Sequence, residues 1–129
     1  SLEVERIGHA TRAAGDPALL DYLREHQIPL EMCPQSNVCT AVVASIEEHP
    51  IRRFFELGLL VTVNTDDPTM FNNRLAQEYC QLVEKLGFTP SDIHTLLLNA
   101  IQSSWLPAER KTQMAAEFIE SFKNNPKMN

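Results

Sequence analysis

Four side chains able to do chemistry stand just after three short apolar runs. His9 follows Val4 to Gly8, Ser36 follows Pro29 to Cys33, and the adjacent carboxylates Asp66 and Asp67 follow Leu59 to Asn64. An imidazole beside a carboxylate can work as a general base or as an electrostatic stabiliser. The same pair can share a metal ion. Two neighbouring carboxylates repel each other, and a cation, an imidazolium or a helix N-terminus offsets that cost. Plainer roles exist for each residue. A histidine after a strand can simply hydrogen-bond its own loop. Thr65-Asp66-Asp67-Pro68 is also a good helix start, with Thr or Asp as cap and Pro at the first helical position. Spacing alone leaves catalysis and capping both open. The remaining histidines, His26 and His49 near helix ends and His94 within a helix, read as surface or satisfied core residues. Trp105 and the phenylalanines at helical spacing read as core. Cys33, Cys39 and Cys80 are odd in number and form no C-x-x-C pair, so they read as small buried hydrophobes in a reducing cytoplasm.

The elements that must position these groups follow from the pattern. Val4 to Gly8 is the first strand. Asp16 caps a helix with Pro17 at its first position, and Leu19, Leu20, Leu23 and His26 share one face. Pro29 to Cys33 is the second strand, stopped by Pro34. Gln35 to Thr40 reads as a polar loop, and Ala41 to Glu48 as a loop with a helical turn. Pro50 opens a helix with Ile51, Phe54, Phe55 and Leu57 inward, and Gly58 ends it. Leu59 to Asn64 is the third strand, rich in the residue types that favour a pleated backbone. Strand and helix alternate with short connections, the pattern of βαβ units and a parallel sheet. In such sheets ligands bind at the carboxyl ends of the strands, so neighbouring strands would bring His9, Ser36 and Asp66/Asp67 to one rim. After Pro68 only helices follow. One spans Leu75 to Leu86 with Leu75, Tyr79, Leu82, Val83 and Leu86 apolar and Gly87 as its stop. Another runs from about Pro90 to Ser103 behind the cap Thr89-Pro90-Ser91-Asp92. The last opens at Pro107 with Met114, Phe118, Ile119 and Phe122 on one side. Residues 1–124 form one domain or part of one, and residues 125–129 are expected to fray.

The 129 residues suffice for one domain with a real core. With 17 acidic against 11 basic residues, the net charge of -6 argues against binding a nucleic-acid backbone. No apolar run approaches the roughly 20 residues that span a bilayer. A cytoplasmic protein that binds neither nucleic acid nor membrane is expected. Ser1-Leu2-Glu3-Val4-Glu5-Arg6 is no signal peptide, and an opening Ser rather than Met suits a piece of a longer protein.

Three stretches, in order, resemble the adenosine deaminase family of the metal-dependent amidohydrolases: Arg6-Ile7-Gly8-His9, Cys33-Pro34-Gln35-Ser36-Asn37 and Asn64-Thr65-Asp66-Asp67-Pro68. Asn99-Ala100, and Ser103-Ser104 before an aromatic, continue the likeness. The resemblance implies an α/β fold, the last three βα units and trailing helices of a TIM-type (β/α)8 barrel with zinc (Zn2+) at its carboxyl rim. It implies hydrolytic loss of ammonia from the 6-amino position of an adenine-type base. By the same resemblance, His9 matches the histidine that stabilises or deprotonates the attacking water. Asp66 matches the aspartate that ligates zinc and touches that water, and Asp67 the aspartate that hydrogen-bonds the purine ring. Ser36 would stand behind them on the rim. Two features depart from the family. Ala10 stands where a glycine is common. The H-x-H and H-x-G-E motifs, which supply the other zinc ligands and a glutamate proton donor, do not occur. A catalytic zinc needs about three protein ligands, and only Asp66 is on offer. A whole barrel takes roughly 200 residues or more. The expectation is therefore the C-terminal portion of a deaminase that is inactive alone and does not hold zinc tightly. Its expected partners are a purine nucleoside, the missing N-terminal part of the barrel and, through open sheet edges, further copies of itself. Two alternatives stay open: another amidohydrolase reaction, such as deamination of adenine or of a modified adenosine, and a non-catalytic structural or partner-binding module.

Overall fold

The computed structural model describes residues 3–124. Ser1-Leu2 and the 125–129 tail, expected to fray, lie outside the described residues. Strands β1 (Ile7–Gly8), β2 (Leu30–Met32) and β3 (Val61–Val63) form a parallel sheet in the order β1-β2-β3. Ile7 pairs with Leu30, and Leu30 with Val61, so the three strand ends come out level on one rim. All three residues of β3 are buried, as in a parallel strand covered on both faces.

The core lies beneath that rim. Leu30, Met32, Val61 and Val63 of the sheet pack with Leu23 of helix α1 (Pro17–Glu25), Phe54 of α3 (Ile51–Glu56) and Leu82 of α5 (Leu75–Leu86). Asp16 caps α1 by accepting the Leu19 N–H at 3.0 Å. Leu20 and Leu23 point inward, but Leu19 and His26 are exposed, and His26 stacks on Tyr22 at the surface. In α3, Ile51 and Phe54 are buried, while Leu57, expected inward, is exposed just before Gly58 turns the chain at φ 77°. Gly87 ends α5 in the same left-handed conformation.

Pro34 to Cys39 is a helix, α2, where a polar loop was expected. Its support is tertiary: the buried Glu78 carboxylate of α5 accepts the Gln35 N–H at 3.1 Å, placing negative charge at the helix N-terminus. A loop with a short 3₁₀ turn over Ile46–Glu48 follows, as the sequence indicated. Beyond β3 come the short α4 (Pro68–Phe71), α5, α6 (Pro90–Ser103) and α7 (Ala108–Lys123). The capping box of Thr89 and Asp92 is formed. Asn99 of α6 donates to the Val61 carbonyl at 3.0 Å and ties that helix to β3. In α5, Leu75 and Val83 are exposed, and α7 buries no residue fully. Phe122 of α7 stacks on His94 of α6 instead.

Two further expectations are corrected. Only Cys33 is buried; Cys39 and Cys80 are exposed. Trp105 is 75% exposed rather than core. It lies between α6 and α7, donates its indole N–H to Glu5 at 3.0 Å and carries the Arg6 guanidinium over its ring, an arrangement that keeps its polar edge satisfied. Among the described residues no helix is long and apolar enough to cross a membrane.

Candidate active site

The level strand ends bring three of the four expected residues together. Ser36 Oγ donates to Asp66 Oδ2 at 2.7 Å, and His9 Nε2 lies 3.9 Å from the same oxygen. Ser36 is buried, whereas the His9 and Asp66 side chains are 45% and 41% exposed, open to anything placed on the rim. Two cavities meet there. One, of about 510 Å³, is lined by the polar His9, Ser36, Asn37 and Asp66 and by the apolar Ala10, Leu19, Leu23 and Val42. The other, of about 390 Å³, shares Gly8, His9 and Asp66 and adds Glu31, Cys33 and Asn64. His9 and Asp66 thus form a common wall.

The backbone is strained at this wall. His9, Ala10 and Asp66 have φ of 60°, 52° and 60°, a region that costs a residue with a Cβ about 1–2 kcal/mol. Ala10 therefore takes the left-handed conformation that a glycine would take freely. Strain of this kind persists only where the surroundings over-determine it, and here they do. The His9 N–H bonds the Glu31 carbonyl at 2.8 Å. Asn37 holds the His9 ring at Nδ1, 3.0 Å away. On the other side, Asn73 donates to the Thr65 carbonyl at 3.2 Å and to Glu78 at Oε1, fastening the chain just before Asp66.

Asp67 has a different task. Its Oδ1 accepts the Met70 N–H at 2.8 Å as the N-cap of α4, and it lines neither cavity at the wall. The cap belongs to Asp67, which leaves Asp66 free of it. Cys33 lies below the rim. Burial, together with the charges of Asp66, Glu78 and Glu31, pushes its thiol up to about 12, which makes it a poor nucleophile at neutral pH.

For a zinc ion the residues present make one corner of a site. Asp66 Oδ1 takes no hydrogen bond among the described residues, so this carboxylate fits as a single ligand with Ser36 steadying its other oxygen. Among the described residues no three His, Cys, Asp or Glu side chains converge to hold an ion, short of the three ligands a catalytic zinc takes.

Asn37, His49, Asn73 and Glu78 are the residues that sequence reasoning missed. Asn37 is in the Cys33-Pro34-Gln35-Ser36-Asn37 stretch, where a neutral amide carries no chemistry of its own that singles it out beside Ser36. His49 is buried, its Nε2 lying 3.0 Å from Asn37 Oδ1. It fulfils the satisfied-core expectation and contacts the site through Asn37.

The family model described as adenosine deaminase matches residues 1–121. The chain is 44% identical over 116 residues to an aminodeoxyfutalosine deaminase of Streptomyces avermitilis, covering 90% of this chain and 32% of that protein. It is 39% identical over 110 residues to an adenosine deaminase of Serratia proteamaculans, covering 85% and 33%. The crystal structure of an adenine deaminase from Arthrobacter aurescens superposes with a TM-score of 0.91 at 37% identity, over 95% of this chain and 37% of that one. An amidohydrolase from Burkholderia ambifaria solved with bound zinc superposes at 0.85 and 26% identity, over 95% and 34%. The chain spans about a third of the length of the relatives it matches. Its parallel sheet and trailing helices have the architecture of the C-terminal part of a (β/α)8 barrel. On a match that runs through nearly all of its residues, the chain belongs to the adenosine deaminase family.

Proposed function

We propose that this segment forms the carboxyl-rim wall of a zinc-dependent deaminase that hydrolyses the 6-amino group of an adenine-type base, releasing ammonia. The observation that carries the reading is Asp66. It is strained, half exposed, without a hydrogen bond at Oδ1 among the described residues, fixed by Ser36 at Oδ2 and faced by His9. A bound zinc ion would supply Lewis acidity and make hydroxide available from water near neutral pH. Asp66 would give one ligand and offset part of the charge. Ser36 holds that carboxylate in register with the sheet. His9 reaches the space in front of Asp66, where an imidazole can hydrogen-bond an oxygen attacking the ring carbon. The apolar lining of the larger of these two cavities, with Leu19, Leu23 and Val42, suits the flat face of a nucleobase. Asp67 would meet a ring N–H through Oδ2, but its cap bond to Met70 favours a second, purely structural reading for that residue.

The remaining ligands and the proton donor would come from the rest of the barrel, so this chain alone is expected neither to hold zinc tightly nor to turn over. The relatives' names supply the substrates to try: adenosine, adenine and aminodeoxyfutalosine. Ammonia release from each is to be measured with this segment joined to the other barrel units, wild type against Asp66→Asn. Turnover of one substrate, lost with zinc in the variant while circular dichroism is unchanged, supports the reading. Turnover of none, or full activity in Asp66→Asn, overturns it.

A further inference from the structure

Asn37 joins two histidines, and the direction of its bonds can be read from one backbone amide. The Ile51 N–H can only donate, and it lies 3.2 Å from His49 Nδ1. That nitrogen is therefore unprotonated, and the neutral ring carries its proton on Nε2. His49 Nε2 is 3.0 Å from Asn37 Oδ1, which fixes the amide with its oxygen toward His49 and its nitrogen toward His9. Asn37 Nδ2 donates in turn to His9 Nδ1 at 3.0 Å. The neutral His9 ring then keeps its proton on Nε2, the nitrogen that faces Asp66.

We infer that Asn37 and His49 are positioning residues of this site: the Ile51 amide, His49 and Asn37 form a chain that fixes His9 as the Nε2–H tautomer turned toward Asp66. Asn37 and His49 are 2% and 3% exposed, so a mismatched partner at the Asn37–His49 link would leave a buried polar group unpaired. A ring held this way presents a hydrogen-bond donor, rather than a base, to an oxygen in front of Asp66. The significance for catalysis rests on the proposed deaminase function; the tautomer itself does not.

The test is a long-range ¹H–¹⁵N correlation spectrum of the histidine rings in the full chain at about pH 8, where an ordinary imidazole is neutral. His9 is expected as a single Nε2–H tautomer. In His49→Gln the amide still donates to Asn37, and the tautomer should persist. In His49→Leu that donor is lost, the Asn37 amide is free to flip, and His9 should become a mixture. In Asn37→Asp the new carboxylate accepts from the ring, and the proton should move to Nδ1. A mixed or Nδ1–H ring in the wild type, or a tautomer indifferent to both His49→Leu and Asn37→Asp, overturns the inference. A fixed tautomer in this chain, with no ammonia released once the segment is joined to the other barrel units, would sink the deaminase reading and leave this one standing.

Discussion

The exits from β2 and β3 lie side by side on one rim and solve opposite problems. After β2 the chain enters a helix at ordinary dihedrals, with Ser36 and Asn37 almost wholly buried. After β3 it passes through a left-handed Asp66 whose side chain is 41% exposed. The exit from β1, on the other flank, resembles β3: His9 and Ala10 are both left-handed. The relaxed middle exit sends one side chain to each flank, Ser36 to Asp66 and Asn37 to His9. The buried element thus acts as the template, and the strained, exposed residues are held to it. Reactive groups need exposure and awkward backbone; the lowest-cost way to keep them in place is to anchor them to a neighbour that needs neither.

The heaviest blow to this arrangement is Asn37→Leu, which strips His9 of its donor and leaves the buried His49 N–H unpaired. A loss of about 3 kcal/mol in urea denaturation is expected; a loss under about 1 kcal/mol would mean that the middle exit is no template. Acid should act on the same anchor. Burial holds His49 below its ordinary 6.5, at about 4. Between those values the unfolded chain binds a proton that the folded one refuses. The contribution is complete above pH 6.5 and falls as the pH drops toward 4, by up to about 3 kcal/mol. Melting temperatures across that range, wild type against His49→Gln, check it: the variant should lose most of the slope, and equal slopes would remove His49 from the account. Ser36→Ala cuts the other arm, at a half-exposed acceptor, and should cost about 1 kcal/mol. The smallest effect is expected at the β1 exit. Ala10→Gly relieves a left-handed Cβ and adds chain entropy to the unfolded state, for a net gain of about 0.5 kcal/mol. A loss of stability there would show that Ala10 is not strained.

Much of the rim was legible in the sequence. The Val-rich and Leu-rich runs marked the strands, the proline stops marked their ends, and alternation with helices made them parallel, which suffices to bring His9, Ser36 and Asp66 to one place. The separate duties of Asp66 and Asp67 were less legible, since either can cap a helix; the left-handed turn at Asp66 decides which one does. α2 escaped because Pro34-Gln35-Ser36-Asn37-Val38-Cys39 carries no helical apolar period and its N-terminus is completed by Glu78, far along the chain. His49 escaped for a similar reason: its partner is chosen by the fold, and no local spacing announces it. Trp105 was misread because burial is the common fate of an indole, whereas this one finds Glu5 and Arg6 at the surface.

That surface indole has a practical consequence. Trp105 is the chain's single tryptophan, and it touches the two residues that lead into β1. Its emission is a built-in optical gauge for the first strand of the sheet. Water-exposed indole emits to the red, so a blue shift on mixing with another polypeptide would register coverage of that edge without any added label.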